Sequence, residues 1–82
     1  QVLKNVRVKS KPEAQNDPDV QKAVEEVAQA LGDDGRILVR ESGTEPVIRV
    51  MVEASSKELC EKYVNQVIDV ICAKGHVDLA NA

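Results

Sequence analysis

Aromatic residues are almost missing from this chain: Tyr63 stands alone, with no tryptophan and no phenylalanine among 82 residues. Any interior must therefore be built from Val, Ile, Leu and Ala, and single-stranded nucleic acid finds no rings on which to stack its bases. The basic residues are scattered rather than gathered into a patch, and the formal net charge is −3, which argues against nucleic acid as a partner. No apolar run approaches the roughly 18 residues of a spanning helix, and no signal-peptide pattern opens at Gln1, so a membrane role is not expected. Histidine occurs once, at His76 in a tail read as exposed, and is assigned no role. Cys60 and Cys72 belong to no CxxC or Cys/His grouping, so metal binding has no support. Both fall in one predicted helix, about 18 Å apart against a limit of about 7 Å for a disulfide. They read as buried small hydrophobes in a reducing cytoplasm.

What is present is a regular alternation of elements. Hydrophobic residues make up 43% of the chain and charged residues 30%, the balance of a globular domain. Residues 1–82 read as one domain with a fraying tail from about His76. The chain opens without an initiator methionine on strand-like sequence, and a piece of a longer polypeptide is expected. Val2–Val8 alternates as a strand, with Val2, Val6 and Val8 on one face. Ser10–Asp17, with its Lys, Pro, Asn and Asp, reads as a loop. Asp17 as N-cap and Pro18 at the first helical position then start a helix whose stripe is Val20, Ala23, Val24, Val27, Ala28 and Leu31, stopped by Gly32. Asp33-Asp34-Gly35 is a turn. Arg36–Arg40 and Val47–Ala54 are strands, joined by Glu41–Pro46 into an antiparallel hairpin. Ser55 and Glu58 form a capping box before a helix with Leu59, Tyr63, Val64, Val67, Ile68 and Ile71 inward, ended by Gly75. The order β-α-β-β-α predicts an α+β two-layer sandwich: a mainly antiparallel sheet of three or four strands, covered on one face by two helices.

Chemistry concentrates in Arg40-Glu-Ser-Gly-Thr-Glu-Pro-Val-Ile-Arg49. With Arg40 facing Val47 across the hairpin, Arg49 lies one diagonal step away, and two guanidinium groups stand at the mouths of one short loop. Between them lie the hydroxyls of Ser42 and Thr44, and Gly43, whose backbone takes conformations closed to other residues. Such a loop can present successive N–H groups to an anion. Permanently charged bidentate donors, neutral hydroxyls and fixed amides together suit a phosphate monoester. No His, Cys or Lys lies in the motif to activate either hydroxyl, so the expectation is binding, with no catalytic residue in this chain. Glu41 and Glu45 would repel a dianion. Each reads as solvated or arginine-paired, the sharper alternative being a contact from Glu45 to a sugar amino group. The competing reading of the whole stretch is an ordinary polar turn. Neither GxxxxGK[ST] nor GxGxxG occurs, so nucleotide binding has no specific support.

The RESGTEP loop resembles the phosphate-binding loop of the α-D-phosphohexomutase superfamily, and its context, GRILVR before and VIRVMVEA after, resembles the phosphoglucosamine mutase branch. The resemblance extends over essentially the whole chain and is to that family's fourth, C-terminal domain. It implies interconversion of glucosamine 6-phosphate and glucosamine 1-phosphate for UDP-N-acetylglucosamine and cell-wall synthesis, by a phosphoserine, Mg²⁺ and a bisphosphorylated sugar activator, all served by other domains of the same polypeptide. No TASHNP-like serine or DGDADR-like metal cluster occurs here, so none of these is bound by this chain. The resemblance places the substrate phosphate contacts on Arg40, Ser42, Gly43, Thr44 and Arg49. A phosphomannomutase or phosphoglucomutase relative, a free-standing anion-sensing module, and a structural domain with a polar hairpin remain as alternatives.

Overall fold

The computed structural model of the chain describes residues 1–77. Three strands, β1 (Val2–Arg7), β2 (Arg36–Glu41) and β3 (Val47–Glu53), form an antiparallel sheet in the order β1-β3-β2. Helices α2 (Pro18–Leu31) and α3 (Lys57–Ala73) pack against one another and against the sheet, as expected for an α+β sandwich. A third, short helix, α1 (Lys11–Asn16), bridges α2, β2 and β3.

The pleat explains the layers. Successive residues of a strand point to opposite faces, so Val6, Ile48, Val50 and Val52 are buried under the helices, with Ile37 and Val39 packed against them. From the helices come Val20, Ala23, Val27 and Leu31 of α2 and Cys60, Val64, Val67 and Ile71 of α3. The predicted stripes hold in outline. Ala28 is exposed, and Leu59, Tyr63 and Ile68 are only half-buried, because each sits at the margin of its helix's buried face. Cys60 is a core residue as expected, whereas Cys72, one position past Ile71, has rotated onto the exposed surface.

Helix α1 corrects the expected loop at Ser10–Asp17. The Ser10 hydroxyl accepts from the Glu13 N–H at 3.5 Å, a proline sits in the first turn, and Ala14 is fully buried. Six residues form too short an isolated helix to persist in water, and it is the burial of Ala14 that holds this one in place. The expected capping box of Ser55 and Glu58 does not form: Ser56 is the cap, accepting from the Leu59 N–H, whose apolar side chain cannot reciprocate, while Ser55 donates its hydroxyl to Asp34 at 2.9 Å.

The expected free tail is tied down at its start. His76 Nε2 lies 2.6 Å from Asp17 Oδ2, the Lys9 N–H donates to the His76 carbonyl, and Val77 bridges to Val8. His76 therefore has a structural partner that an isolated reading of the tail misses. The expectation of fraying for residues 78–82 lies outside the described residues. Beside this contact Lys74 meets Asp19 at 2.8 Å, so the end of α3 is tethered twice to the start of α2. Both acids favour the positive helix N-terminus and Lys74 the negative C-terminus.

Of the glycines, Gly35 is required by close approach. A Cβ there would run into the Glu53 carbonyl oxygen and the Ala54 backbone, where β2 begins beside the end of β3. Gly35→Ala is expected to cost about 1–3 kcal/mol of stability by overpacking, read as a lowered urea midpoint. Gly43→Ala, where a Cβ meets nothing, should stay within about 0.5 kcal/mol of the wild type.

A pH dependence follows from Asp17. Its carboxyl is held below the usual carboxylate value, first by the hydrogen bond with His76 and then by the Asp19 N–H that it caps. A lowered folded-state value means that this contribution is complete above the unfolded value of about 3.9 and is lost as pH falls through the folded value. Thermal melts of wild type and Asp17→Asn should therefore differ most near neutrality and converge as pH falls well below 4.

Candidate functional site

The loop sits where β3 enters the sheet, and its two ends are held from opposite sides. β2 ends at Glu41 and β3 begins at Val47, leaving residues 42–46 as the connection. The Ser42 N–H donates to the Val47 carbonyl at 2.9 Å, and the Val47 N–H donates back to the Glu45 carbonyl at 2.7 Å. From just past the end of β1, the Val8 N–H donates to the Pro46 carbonyl at 2.8 Å. From α1, Lys11 Nζ donates to the Ser42 carbonyl at 2.7 Å.

The hairpin register differs from the expected one. Arg40 pairs directly with Arg49, not with Val47, while Val47 pairs with Arg7 of β1. Pairing Glu41 with Ile48 shifts the register by two residues, which leaves Ile37 and Val39 on the covered face and Arg40 on the open one. The outcome is tighter than a diagonal arrangement. Directly opposed residues of an antiparallel pair have Cβ atoms about 4.5–5.5 Å apart, and like charges in that position are destabilising. Among the described residues, neither Arg40 nor Arg49 forms an ion pair. Strand alternation sends both to the sheet face that the helices leave open, where they line a cavity of about 240 Å³ with Gln1, Leu3, Leu38 and Met51.

The acids stay apart from this pair. Glu41 pairs with Ile48 and so points to the face opposite Arg40, and Glu41 and Glu45 are both exposed. Neither is paired with an arginine among the described residues. Ser42 is half-buried, and Gly43 and Thr44 are exposed. Gly43 does not make use of positive φ, the freedom that only glycine has: among the described residues positive φ occurs at Gly32 and Gly75. With open space around its missing side chain, it offers access rather than an unusual conformation. The N–H groups of Gly43, Thr44 and Glu45 have no acceptor among the described residues, which leaves three consecutive backbone donors for water or a ligand.

Arg40, Ser42, Gly43, Thr44 and Arg49 thus share one hairpin, with the arginines side by side on the open face and the hydroxyls in the loop beyond them. The cavity beside the arginines does not extend to Ser42, Gly43 or Thr44. Lys11 was missed by sequence reasoning. Its signal was Ser10-x-x-Glu13 around a proline, a helix start read instead as loop composition.

Residues 3–70 match the family described as phosphoglucomutase/phosphomannomutase, C-terminal domain. The chain belongs to that family. It is 74% identical over 76 residues to a phosphoglucosamine mutase of Lachnospira eligens, an overlap of 93% of this chain and 17% of that protein. It is 58% identical over 77 residues to a phosphoglucosamine mutase of Lachnoclostridium phytofermentans, covering 94% of this chain and 17% of that protein. With the phosphoglucosamine mutase of Bacillus subtilis it shares 49% identity over 71 residues, 87% of this chain and 16% of that protein. The chain therefore spans about one sixth of the length of these relatives. No helix among the described residues is long and apolar enough to cross a membrane.

An arginine pair without a counter-ion should weaken the free domain. Replacing Arg40 with Thr, a strand-compatible neutral residue, is expected to raise ligand-free stability by about 0.2–1 kcal/mol, read as a raised thermal midpoint in low salt. A comparable fall would show that the pair contributes to folding instead.

Proposed function

We propose that this chain is the C-terminal, phosphate-binding domain of a phosphoglucosamine mutase, and that it holds the non-reacting phosphate of glucosamine 6-phosphate or glucosamine 1-phosphate. The observation that carries the reading is the Arg40–Arg49 pair: two directly paired arginines without a carboxylate partner among the described residues, on a hairpin whose loop carries three N–H groups with no acceptor among those residues. A phosphate dianion removes the repulsion and accepts from arginine in a bidentate manner. Ser42 and Thr44 add hydroxyl donors, and Gly43 lets the phosphate approach the backbone. The identity to relatives with that printed name favours this substrate over those of other branches.

In this reading the domain binds and orients, and the chemistry belongs to the remainder of the polypeptide. Binding a remote phosphate fixes the sugar so that its other end meets the reacting group in a productive geometry. Movement of the domain about its connection would open and close the site. Mg²⁺ would assist phosphoryl transfer by neutralising charge, but no three His, Cys, Asp or Glu side chains gather among the described residues to hold a metal. The present residues do not fit that ion, and no step is assigned to it here. Glu45, exposed in the loop, would in this reading meet a sugar amino group, the sharper of its two roles.

Steady-state kinetics of the full-length enzyme test the assignment. Arg40→Ala and Arg49→Ala should each lower kcat/KM by the equivalent of about 1.5–3 kcal/mol, the range for a hydrogen bond to a charged group, without lowering the thermal midpoint. Unchanged kinetics for either variant would remove that arginine from the site.

A further inference from the structure

We infer that Lys11, at the start of α1, is a positioning residue for the loop: its ammonium sets the direction of the Gly43 N–H before any ligand arrives. The inference rests on the reading of the loop as a phosphate site and adds a residue from a different element.

Lys11 Nζ donates to the Ser42 carbonyl at 2.7 Å across 31 positions of sequence, in a partly buried setting. The hydrogen bond goes to the backbone oxygen, not to the Ser42 hydroxyl, so it leaves that hydroxyl free. A peptide unit is planar, and in the trans form its C=O and N–H point in opposite directions; the described residues contain no cis peptide. Holding the Ser42 carbonyl towards α1 therefore aims the Gly43 N–H away from α1. That N–H is the first of the three unpaired loop donors, at a residue where no side chain obstructs approach.

Nothing else in the loop would hold this peptide. Gly43 is exposed, adds no packing, and has a backbone free to rotate. The other mouth is pinned by a backbone bond, Val8 N–H to Pro46 C=O at 2.8 Å, but the Ser42–Gly43 unit has only the lysine. Lys11 is in turn well founded. Ser10 caps α1, Ala14 buries it, and Gln15 Nε2 donates to the Val39 carbonyl of β2 at 3.2 Å, fixing α1 against the strand that leads into the loop. A preorientated donor avoids ordering cost at the moment of binding, and a charged donor makes a stronger bond than a neutral one.

The test uses the full-length enzyme with Lys11→Met, which keeps the stem and removes the donor, Lys11→Arg, which keeps a donor, and Arg40→Ala as a control on the phosphate site. Lys11→Met is expected to raise KM for glucosamine 6-phosphate about tenfold, the scale of one charge-assisted hydrogen bond. It should leave kcat and the melting temperature nearly unchanged, and Lys11→Arg should recover most of the loss. In ligand-free protein labelled with [¹⁵N]glycine, with Gly43 assigned through Gly43→Ala, the Gly43 amide resonance should shift or broaden in Lys11→Met. A lowered melting temperature and apparent kcat at unchanged KM would mean a merely structural role and would overturn the inference. A raised KM with an unmoved Gly43 resonance would overturn it too, by placing Lys11 on the phosphate itself. If Lys11→Met is silent while Arg40→Ala raises KM, the phosphate reading stands and the positioning role fails. If Arg40→Ala is also silent, both fall together.

Discussion

Strand β3 is hydrogen-bonded along both edges, and the burial of its even-numbered residues governs the rest of the molecule. Ile48, Val50 and Val52 are almost completely removed from water beneath α2 and α3. Because a strand alternates with a period of two, driving these three inward sends Val47, Arg49 and Met51 to the opposite face. A slip of one residue would bury Arg49 and expose the valines, a change that costs the apolar burial and adds an unpaired buried charge. The position of a charged group in the site is thus enforced by the hydrophobic core, with no polar contact needed to specify it.

The same constraint reaches the loop through pairing. With β3 fixed, β2 must match it by placing Ile37 and Val39 on the covered face, which sends Arg40 outward beside Arg49. β1 does likewise with Val6, and Val8 just beyond it is buried and supplies the backbone bond to Pro46. An arrangement unfavourable in itself, two cations side by side, is therefore held by interactions made elsewhere. Locally unfavourable placements are tolerated where the scaffold over-determines them.

The helices divide the labour. α2 and α3 close the core, and the contacts of Asp17 with His76 and Asp19 with Lys74 tie the end of one to the start of the other. The short α1 contributes one fully buried residue, Ala14, and serves mainly to carry Lys11 and Gln15 to the backbone of the hairpin. The loop is therefore braced by β1 on one side and α1 on the other, while its outward donors stay open to solvent.

By itself the sequence determined the fold class, the order of the main elements and the stretch in which the candidate site lies. Alternation of two and repetition near 3.6 are local properties, and Asp17-Pro18, Gly32 and Gly75 mark helix limits through their own backbone preferences. Arg40, Ser42, Gly43, Thr44 and Arg49 were legible as a candidate site because they lie within ten residues and are all donors or open backbone suited to an anion. Only tertiary structure decided the direct Arg40–Arg49 register, because a shift of two residues keeps every side chain on the same face and so leaves the alternation unchanged. It alone decided that Ser10–Asp17 is largely helical, since a six-residue helix persists by packing, and that Lys11 and His76 have partners 31 and 59 positions away. Contacts at such separations leave no trace in local periodicity: they arise when hydrophobic burial brings distant segments together, and the polar groups carried along then find one another.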